Sequence, residues 1–503
     1  MNLNELLAGH HHHVLQGDPE TPITAGVCLD ADRVAPGALF MAVPGHREGG
    51  PELIGPALSR GAVAVLVDGA AGGPPALPSW APELAPTGAQ VKEACVVQVS
   101  DTRVAAARIA SRYYGEPGRE MDMIAITGTN GKTSVSCMVE SVLRIAEGAE
   151  VGVIGTGGSR IGDDPIPMPM SVLTTPESPD FQYLLGCMRD RGTGSVVLEA
   201  TSMGLLTHRI DHAFIDVGVF TNLTQDHLDD HGTMENYRDA KLRLFQGLCR
   251  HAVVNADDPV GARIQADMPG AVTTYALDAE ADYRATDLVT DASGTRFTLQ
   301  HGGGKYPAAV STPGRFSVAN ALATVAACHH LGHDLDDLVA ALDRMPPVPG
   351  RFERFTTPSG TSVIVDFAHS PDSLEKVLST VREFAAGRVI TVFGCGGDRD
   401  TTKRAEMGDI AGRHSDLCVL TSDNPRTEDP ETILDHVAHG LAPTGTPFER
   451  RADRRDAIAF ALSAARPEDL VLVAGKGSEP YQIVGEQLIP FSDMATVREL
   501  TRP

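Results

Sequence analysis

Apolar positions fall in short runs separated by stretches of helical spacing. Residues 38–43, 62–67 and 95–99 read as strands, and residues 53–59 and 103–114 carry the three-and-four spacing of helices, which predicts a small α/β unit at the start. Residues 69–88 are rich in Pro, Gly and Ala, contain Trp80, and read as a surface loop. Tyr113-Tyr-Gly-Glu-Pro-Gly-Arg119 then breaks the pattern before an apolar run at Met123, Ile124, Ala125 and Ile126. Further runs at 196–199, 217–221 and 251–255 alternate with helical segments, predicting a mainly parallel sheet whose functional loops leave the carboxyl ends of its strands. Pro346-Pro-Val-Pro-Gly350 is a stiff break, beyond which residues 362–366, 389–393, 417–422 and 470–473 read as strands of another α/β domain.

Composition bounds this picture. At 503 residues the chain is too long for one core, and roughly three domains of about 150 residues are expected. A hydrophobic share of 42% and a charged share of 21% are ordinary for a globular protein. The formal charge of −24 argues against nucleic acid or an anionic membrane as partner, because either needs a broad basic surface. Eight scattered cysteines show no metal-ligand spacing and read as reduced thiols. The start lacks the basic and apolar regions of a signal peptide, and no run is long enough to span a bilayer, so a cytoplasmic protein, acting as a monomer, is expected. His10 to His13 could chelate a metal, although so short a tract reads better as a solvated segment.

The most informative segment is Ile126-Thr-Gly-Thr-Asn-Gly-Lys-Thr-Ser134, between the apolar run and a predicted helix. Gly128 and Gly131 let backbone N–H groups close around a polyphosphate, the helix N-terminus adds its positive dipole end, Lys132 reaches the outer phosphates, and Thr133 can ligate Mg²⁺. The spacing Gly-x-x-Gly-Lys-Thr is shorter than the usual phosphate-binding loop. Gly394-Cys-Gly-Gly397 also follows a strand, but no acidic residue at the required distance supports a dinucleotide site.

This loop, taken with Leu173-Thr-Thr-Pro-Glu177, Asn222-Leu-Thr-Gln-Asp-His-Leu-Asp229, Tyr237-Arg-Asp-Ala-Lys241, Asn255-Ala-Asp257, Gly350-Arg-Phe-Glu353 and Val365-Asp-Phe-Ala-His369, resembles the Mur ligases over essentially the whole chain. Phe393-Gly-Cys-Gly-Gly-Asp-Arg-Asp400, Ser422-Asp-Asn-Pro-Arg426 and Val473-Ala-Gly-Lys-Gly-Ser-Glu479 look most like the branch that adds the third residue of the peptidoglycan stem peptide, the MurE type. The resemblance implies an α/β fold of three domains: an N-terminal UDP-sugar-type acceptor domain (1–116), a central P-loop-type ATPase domain (117–346) and a C-terminal Rossmann-like amino-acid domain (347–503). It also implies an ATP- and Mg²⁺-dependent ligase that joins a carboxylate to an amine through an acyl phosphate, with small-molecule substrates.

By the same resemblance Thr129, Asn130 and Ser134 complete the phosphate loop, while Asn320, Arg351, Asp366 and His369 look like an ATP clamp. Thr133 and Glu199 correspond to Mg²⁺ ligands, His227 lies near a second metal, and Lys241 matches the lysine that the family carbamylates. With Lys132, these last three form the catalytic set. Thr174, Thr175, Thr201 and Arg209 fall on the acceptor side. Arg399, Asp423, Asn424, Arg426, Gly475 and Glu479 match the amine pocket, with Glu479 facing a distal ammonium. An arginine fork binds a carboxylate bidentately where lysine offers a point charge, so Arg426 suits an amine bearing a far carboxylate; meso-diaminopimelate fits and lysine does not.

The acceptor side departs from the family's pattern. The usual Leu-Asp-Ser-Arg is Leu29-Asp-Ala-Asp32, losing a hydroxyl and a cation, and Asp32 would repel a pyrophosphate. Further changes fall at Glu48-Gly-Gly50, Thr201-Ser-Met203, Asp229-Asp-His231, Phe316-Ser-Val-Ala-Asn320 and Lys476-Gly-Ser-Glu479. Despite these departures, the resemblance implies addition of meso-diaminopimelate to UDP-N-acetylmuramoyl-L-alanyl-D-glutamate in peptidoglycan synthesis. A paralogue joining a different carboxylate and amino acid in specialised metabolism stays open, as does a nucleotide-dependent scaffold of cell-wall assembly.

Overall fold

A computed structural model describes residues 1–46, 49–69, 94–168 and 173–502. It divides into two compact units: Met1–Ala125, Glu150–Asp216 and Arg243–Arg250 form the first, and Ile126–Ala149, Val217–Leu242 and His251–Pro503 the second. The loop predicted at 69–88 lies outside the described residues apart from Gly69, as does Glu48.

The first unit opens with a five-stranded sheet. Its strands are β1 (His12–Gln16), β2 (Val27–Cys28), β3 (Leu39–Met41), β4 (Ala64–Asp68) and β5 (Cys95–Val99), in the order β1-β5-β4-β3-β2. Only β1 runs antiparallel to its neighbour. Side chains alternate between two cores: Leu39, Ala64 and Leu66 pack on one face with Leu3, Leu6 and Ile109, and Phe40, Val65 and Val67 pack on the other with Ile54 and Leu58. Burial on both faces explains why these strands read as continuous apolar runs. Helix Thr102–Tyr113 begins where the Asp101 carboxylate accepts from the amides of Arg103 and Val104.

β6 (Asp122–Thr127) carries the chain into the phosphate loop. In the first unit β7 (Val151–Gly155) leads into the antiparallel strands β8 (Gly158–Ile161) and β9 (Asp164–Pro165) and lies parallel to β10 (Ser195–Glu199). β11 (Ile215–Phe220) ends at Phe220 beside the loop, and β12 (Cys249–Asn255), β13 (Val272–Ala276) and β14 (Tyr283–Asp291) are parallel in sequence. β14, β15 (Gly294–His301) and β16 (Gly304–Val310) then form an antiparallel meander that the expectation of a mainly parallel sheet did not contain. The meander alternates buried and exposed residues along its strands, the mark of a sheet with one face in solvent.

The remaining sheet has the order β17 (Glu353–Thr356), β18 (Ser362–Asp366), β22 (Leu470–Ala474), β19 (Val389–Phe393), β20 (Leu417–Leu420), β21 (Phe448–Arg450), with only β17 antiparallel. Val363, Val365, Ile390, Val392, Val471 and Val473 face one core and Ile364, Val389, Phe393, Leu470 and Leu472 the other. Four loops leave the carboxyl ends of its central strands: 366–369, 394–399, 421–426 and 475–479. In an open parallel sheet this edge is where ligands bind. A hairpin of β23 (Tyr481–Val484) and β24 (Gln487–Pro490) follows. Among the described residues no helix is long and apolar enough to cross a membrane, and none of the eight cysteines is joined to another in a disulfide.

Candidate active site

The phosphate loop takes its shape from glycine. Gly128 has φ +149°, and a Cβ there would lie 1.9 Å from Thr221 Oγ1. Gly131, left-handed at φ +92°, caps helix Lys132–Glu147, whose first turn carries Lys132, Thr133 and Ser134. Neighbouring strand ends pin the loop. The Asn130 amide donates to Asn222 Oδ1 (3.0 Å), the Asn130 carbonyl accepts from Thr221 Oγ1 (2.6 Å), and Thr129 Oγ1 donates to the Thr224 carbonyl (3.1 Å). Asn320 is buried, with Oδ1 against Gly131. The loop presents backbone N–H groups at a helix N-terminus, the physical basis of polyphosphate binding.

Two lysines converge on one carbonyl. Lys132 Nζ donates to the carbonyls of Gly128 (2.8 Å) and Thr129 (2.9 Å), and Lys241 Nζ donates to the same Gly128 oxygen (2.9 Å). Lys241 is buried, its Nζ 4.3 Å from the centre of the Tyr237 ring. Burial, then repulsion from Lys132, push its amine well below the ordinary lysine value against the pull of Asp226.

Asp226 anchors the facing group. Lys403 Nζ lies 3.3 Å from it, His369 Nε2 3.5 Å and His227 Nε2 3.7 Å. Burial alone would raise this carboxyl, but the hydrogen bond and charge of His369, followed by Lys403 and His227, hold it well below the usual carboxylate range. His227 has left-handed backbone at φ +53°. Its imidazole is pushed down to about 4, first by burial, with Lys132, His369 and Lys241 adding to the effect and Asp226 opposing it. The ring, 45% exposed, is a neutral imidazole at neutral pH. Ligand atoms of His227, Asp229 and Asp230 lie within 4.8 Å of one another and could hold a divalent cation.

Arg351 reaches the helix start, donating from Nη2 to Thr133 Oγ1 (3.0 Å) and stacking 4.1 Å from the Phe367 ring centre. The loop that carries it is fixed by buried Asp366, which accepts from the amides of Phe352 (2.6 Å) and Ala368 (2.8 Å). Burial raises the Asp366 carboxyl against Arg351 and these amides. Thus Asn320, Arg351, Asp366 and His369 all stand in the second unit with the loop.

Glu199 belongs to the first unit. It ends β10, is buried, and accepts from the Thr156 amide (2.9 Å) and hydroxyl (3.1 Å). Thr175 Oγ1 donates to the Glu199 carbonyl (2.7 Å) and accepts from the Thr201 amide (3.0 Å); Thr201 Oγ1 caps the next helix, and Thr174 Oγ1 lies 3.5 Å from Thr156 Oγ1. Arg209 donates to the Thr175 carbonyl (3.1 Å) and lies 3.0 Å from Glu177. Arg103 (3.3 Å) and His46 (3.7 Å) meet the same carboxylate. Asp32 points to the surface, 81% exposed and 2.7 Å from Arg60.

The amine pocket assembles at the carboxyl edge of the last large sheet. Arg426 has left-handed backbone at φ +51° and donates from Nη1 to the Gly397 carbonyl (2.6 Å). Arg399 lies 3.4 Å from Asp229. Gly475, at φ +118°, has no room for a Cβ, which would lie 2.5 Å from Asp423 Oδ2. Glu479 accepts from Asn424 Nδ2 (3.1 Å) and pairs with buried Lys476 (2.7 Å).

Sequence reasoning missed several residues that hold these loops. Arg404, fully buried, pairs with Glu428 and donates to the Gly396 carbonyl (3.2 Å); Arg454 pairs with Asp493, both at 0% exposure. Asp226, Lys403 and Glu177 were also missed as site residues. Asp226 and Glu177 sat inside segments singled out above, but the burial of Lys403, Arg404, Arg454 and Asp493 has no local signature.

Known proteins match this arrangement. The Mur ligase middle domain matches residues 126–328, and the Mur ligase, glutamate ligase domain matches residues 350–477. A UDP-N-acetylmuramoyl-L-alanyl-D-glutamate--2,6-diaminopimelate ligase of Geobacter metallireducens is 42% identical over 503 aligned residues, covering 95% of this chain and 94% of that one. Its counterpart from Caldanaerobacter subterraneus subsp. tengcongensis is 39% identical, covering 99% of each. A solved structure of a ligase with the same name superposes with a TM-score of 0.67 at 30% identity, covering 100% of this chain and 98% of that one. The chain belongs to the Mur ligases, ATP-dependent enzymes that form amide bonds between small molecules.

Proposed function

We propose that this enzyme couples ATP cleavage to the addition of meso-diaminopimelate to UDP-N-acetylmuramoyl-L-alanyl-D-glutamate, as a cytoplasmic monomer built from domains 1–116, 117–346 and 347–503. The acceptor carboxylate attacks the γ-phosphorus, ADP leaves, and an acyl phosphate forms; the amine then attacks the acyl carbon and phosphate leaves. The observation that carries this reading is whole-length similarity to 2,6-diaminopimelate ligases together with the Arg426 fork at the pocket edge.

Residues 128–134 hold the triphosphate, and Lys132 neutralises charge on the transferred group. Asn320, Arg351, Asp366 and His369 close on the nucleotide and exclude water from the acyl phosphate. Mg²⁺, when bound, would screen the meeting anions; Thr133, His227 and Lys241, all of the second unit, are residues that would hold it. An uncharged Lys241 fits that role poorly and its carbamate fits well. A buried amine whose protonation is disfavoured by its surroundings captures CO₂ as the free base, releasing one proton, and the carbamate places an anion beside the Lys132 ammonium. Thr174, Thr175, Thr201 and Arg209 receive the acceptor. Arg399, Asp423, Asn424, Arg426, Gly475 and Glu479 receive the amine, and Glu479 exchanges Lys476 for the distal ammonium.

The test is phosphate release over a matrix of carboxylate acceptors and amino acids. Release that requires both UDP-N-acetylmuramoyl-L-alanyl-D-glutamate and meso-diaminopimelate supports the reading. Release with another carboxylate only transfers the function to a paralogue, to which the changes at Ala31 and Asp32 would then belong.

A further inference from the structure

The hairpin β23–β24 lies next to the segment that carries Arg426 and touches almost every residue of it. Gln482 Nε2 donates to the Asp423 carbonyl (2.7 Å) and reaches the Ser422 carbonyl at 3.4 Å. The Ile483 amide donates to Asn424 Oδ1 (2.9 Å). The Arg426 amide donates to the Ile483 carbonyl (3.1 Å), and the Gly485 amide donates back to the Arg426 carbonyl (2.7 Å). Residue 426 therefore pairs with Val484 as a one-residue parallel bridge. At the far end of the hairpin the Phe491 amide bonds to the Pro480 carbonyl, which closes its base.

These bonds bear on Arg426 because its backbone is left-handed, a conformation that a residue other than glycine abandons unless its surroundings impose it. Pro425 before it offers no amide to the rest of the fold. The hairpin supplies the restraint on both sides of the residue, and Gln482 extends it to the two carbonyls that precede Asn424. A guanidinium fork recognises a carboxylate through two parallel bonds, so a small rotation of its base costs both. A hairpin whose outer residues Val484, Leu488 and Ile489 are exposed adds little core; its contacts are concentrated on residues 422–426.

We infer that the hairpin at residues 481–490 sets amine selectivity by holding Arg426, with Gln482 as a positioning residue. This rests on the proposed reading of Arg426 as the group that meets the distal carboxylate of meso-diaminopimelate. Gln482 itself touches no substrate. Its removal lets the segment relax and weakens recognition of the far carboxylate, while ATP and the acceptor, held elsewhere, are unaffected.

The experiment compares wild type, Gln482→Ala and Gln482→Asn in phosphate release with meso-diaminopimelate and with lysine, alongside thermal melting. Gln482→Ala should raise the KM for meso-diaminopimelate about tenfold, the worth of one net hydrogen bond. kcat and the KM values of ATP and acceptor should stay within about twofold, and the preference over lysine should fall by a similar factor of about ten. Gln482→Asn, which keeps the amide on a shorter stem, should move the same way by less, and serves if the alanine variant does not fold. A folded variant with unchanged preference, or one in which all three KM values rise together, overturns the inference. If wild type itself gives no release with meso-diaminopimelate, the functional reading fails and the inference fails with it; wild-type release with an unmoved variant leaves the function standing and removes only the hairpin's role.

Discussion

The phosphate loop at residues 128–134 and the amine pocket around residues 394–399 and 422–426 both hang from the carboxyl ends of parallel strands, yet they are held by different means. The first is contiguous in sequence, shaped by Gly128 and Gly131, and works mainly through backbone amides. The second is gathered from separate strand ends, braced by the fully buried arginines Arg404 and Arg454, and includes left-handed backbone at Asp398 and Arg426. A phosphate cradle needs donors that every residue carries. A carboxylate fork needs one side chain at one angle, so its supports must come from the tertiary structure.

The sharpest break in this comparison is at Lys241, the buried side chain among the loop's backbone contacts. Lys241→Ala should lose at least about 10²-fold in turnover and regain part of it with a small added carboxylic acid that restores oxygen ligands. Undiminished turnover, or a resolved unmodified amine in the active enzyme, removes the carbamate from the mechanism.

Stability should divide the two regions next. Asp493→Ala leaves the Arg454 guanidinium buried without its partner and should cost about 3–5 kcal/mol by denaturant melting. Lys132→Ala should drop turnover by at least about 10²-fold and leave the melt near wild type. If the two variants melt alike, the distinction between a backbone-held loop and a side-chain-braced pocket is lost.

Selectivity follows. Arg426→Ala should lower kcat/KM for meso-diaminopimelate by about 2–4 kcal/mol, and Arg426→Lys should not restore it, because a point charge cannot reproduce the fork. Lysine outperforming meso-diaminopimelate in the wild type would contradict the pocket's assignment.

The smallest effect is expected at Asp32. Its carboxylate is open to solvent beside Arg60, so Asp32→Ser should change neither the melting temperature nor, beyond about twofold, the acceptor KM. A tenfold fall in that KM would show that the carboxylate opposes the acceptor after all.

Short continuous apolar runs announced β3, β4, β5, β6, β10, β18, β19, β20 and β22, because strands buried on both faces leave an unbroken hydrophobic record. The meander β14–β16 left none that was recognised, since one solvated face dilutes the pattern to alternation. The phosphate loop was legible because strand, glycine turn and helix are consecutive in the chain. What stayed hidden were the supports: Asp226 with Lys403, Glu177 with Arg103 and Arg209, and Arg454 with Asp493 are charged residues far apart in sequence, which composition assigns to the surface. The sequence alone determined the strands buried on both faces, the nucleotide loop and the identity of the residues available for chemistry. Only tertiary structure decided which charges are buried together and which way Arg426 points, because burial and ion pairing depend on separations in space that no local pattern encodes.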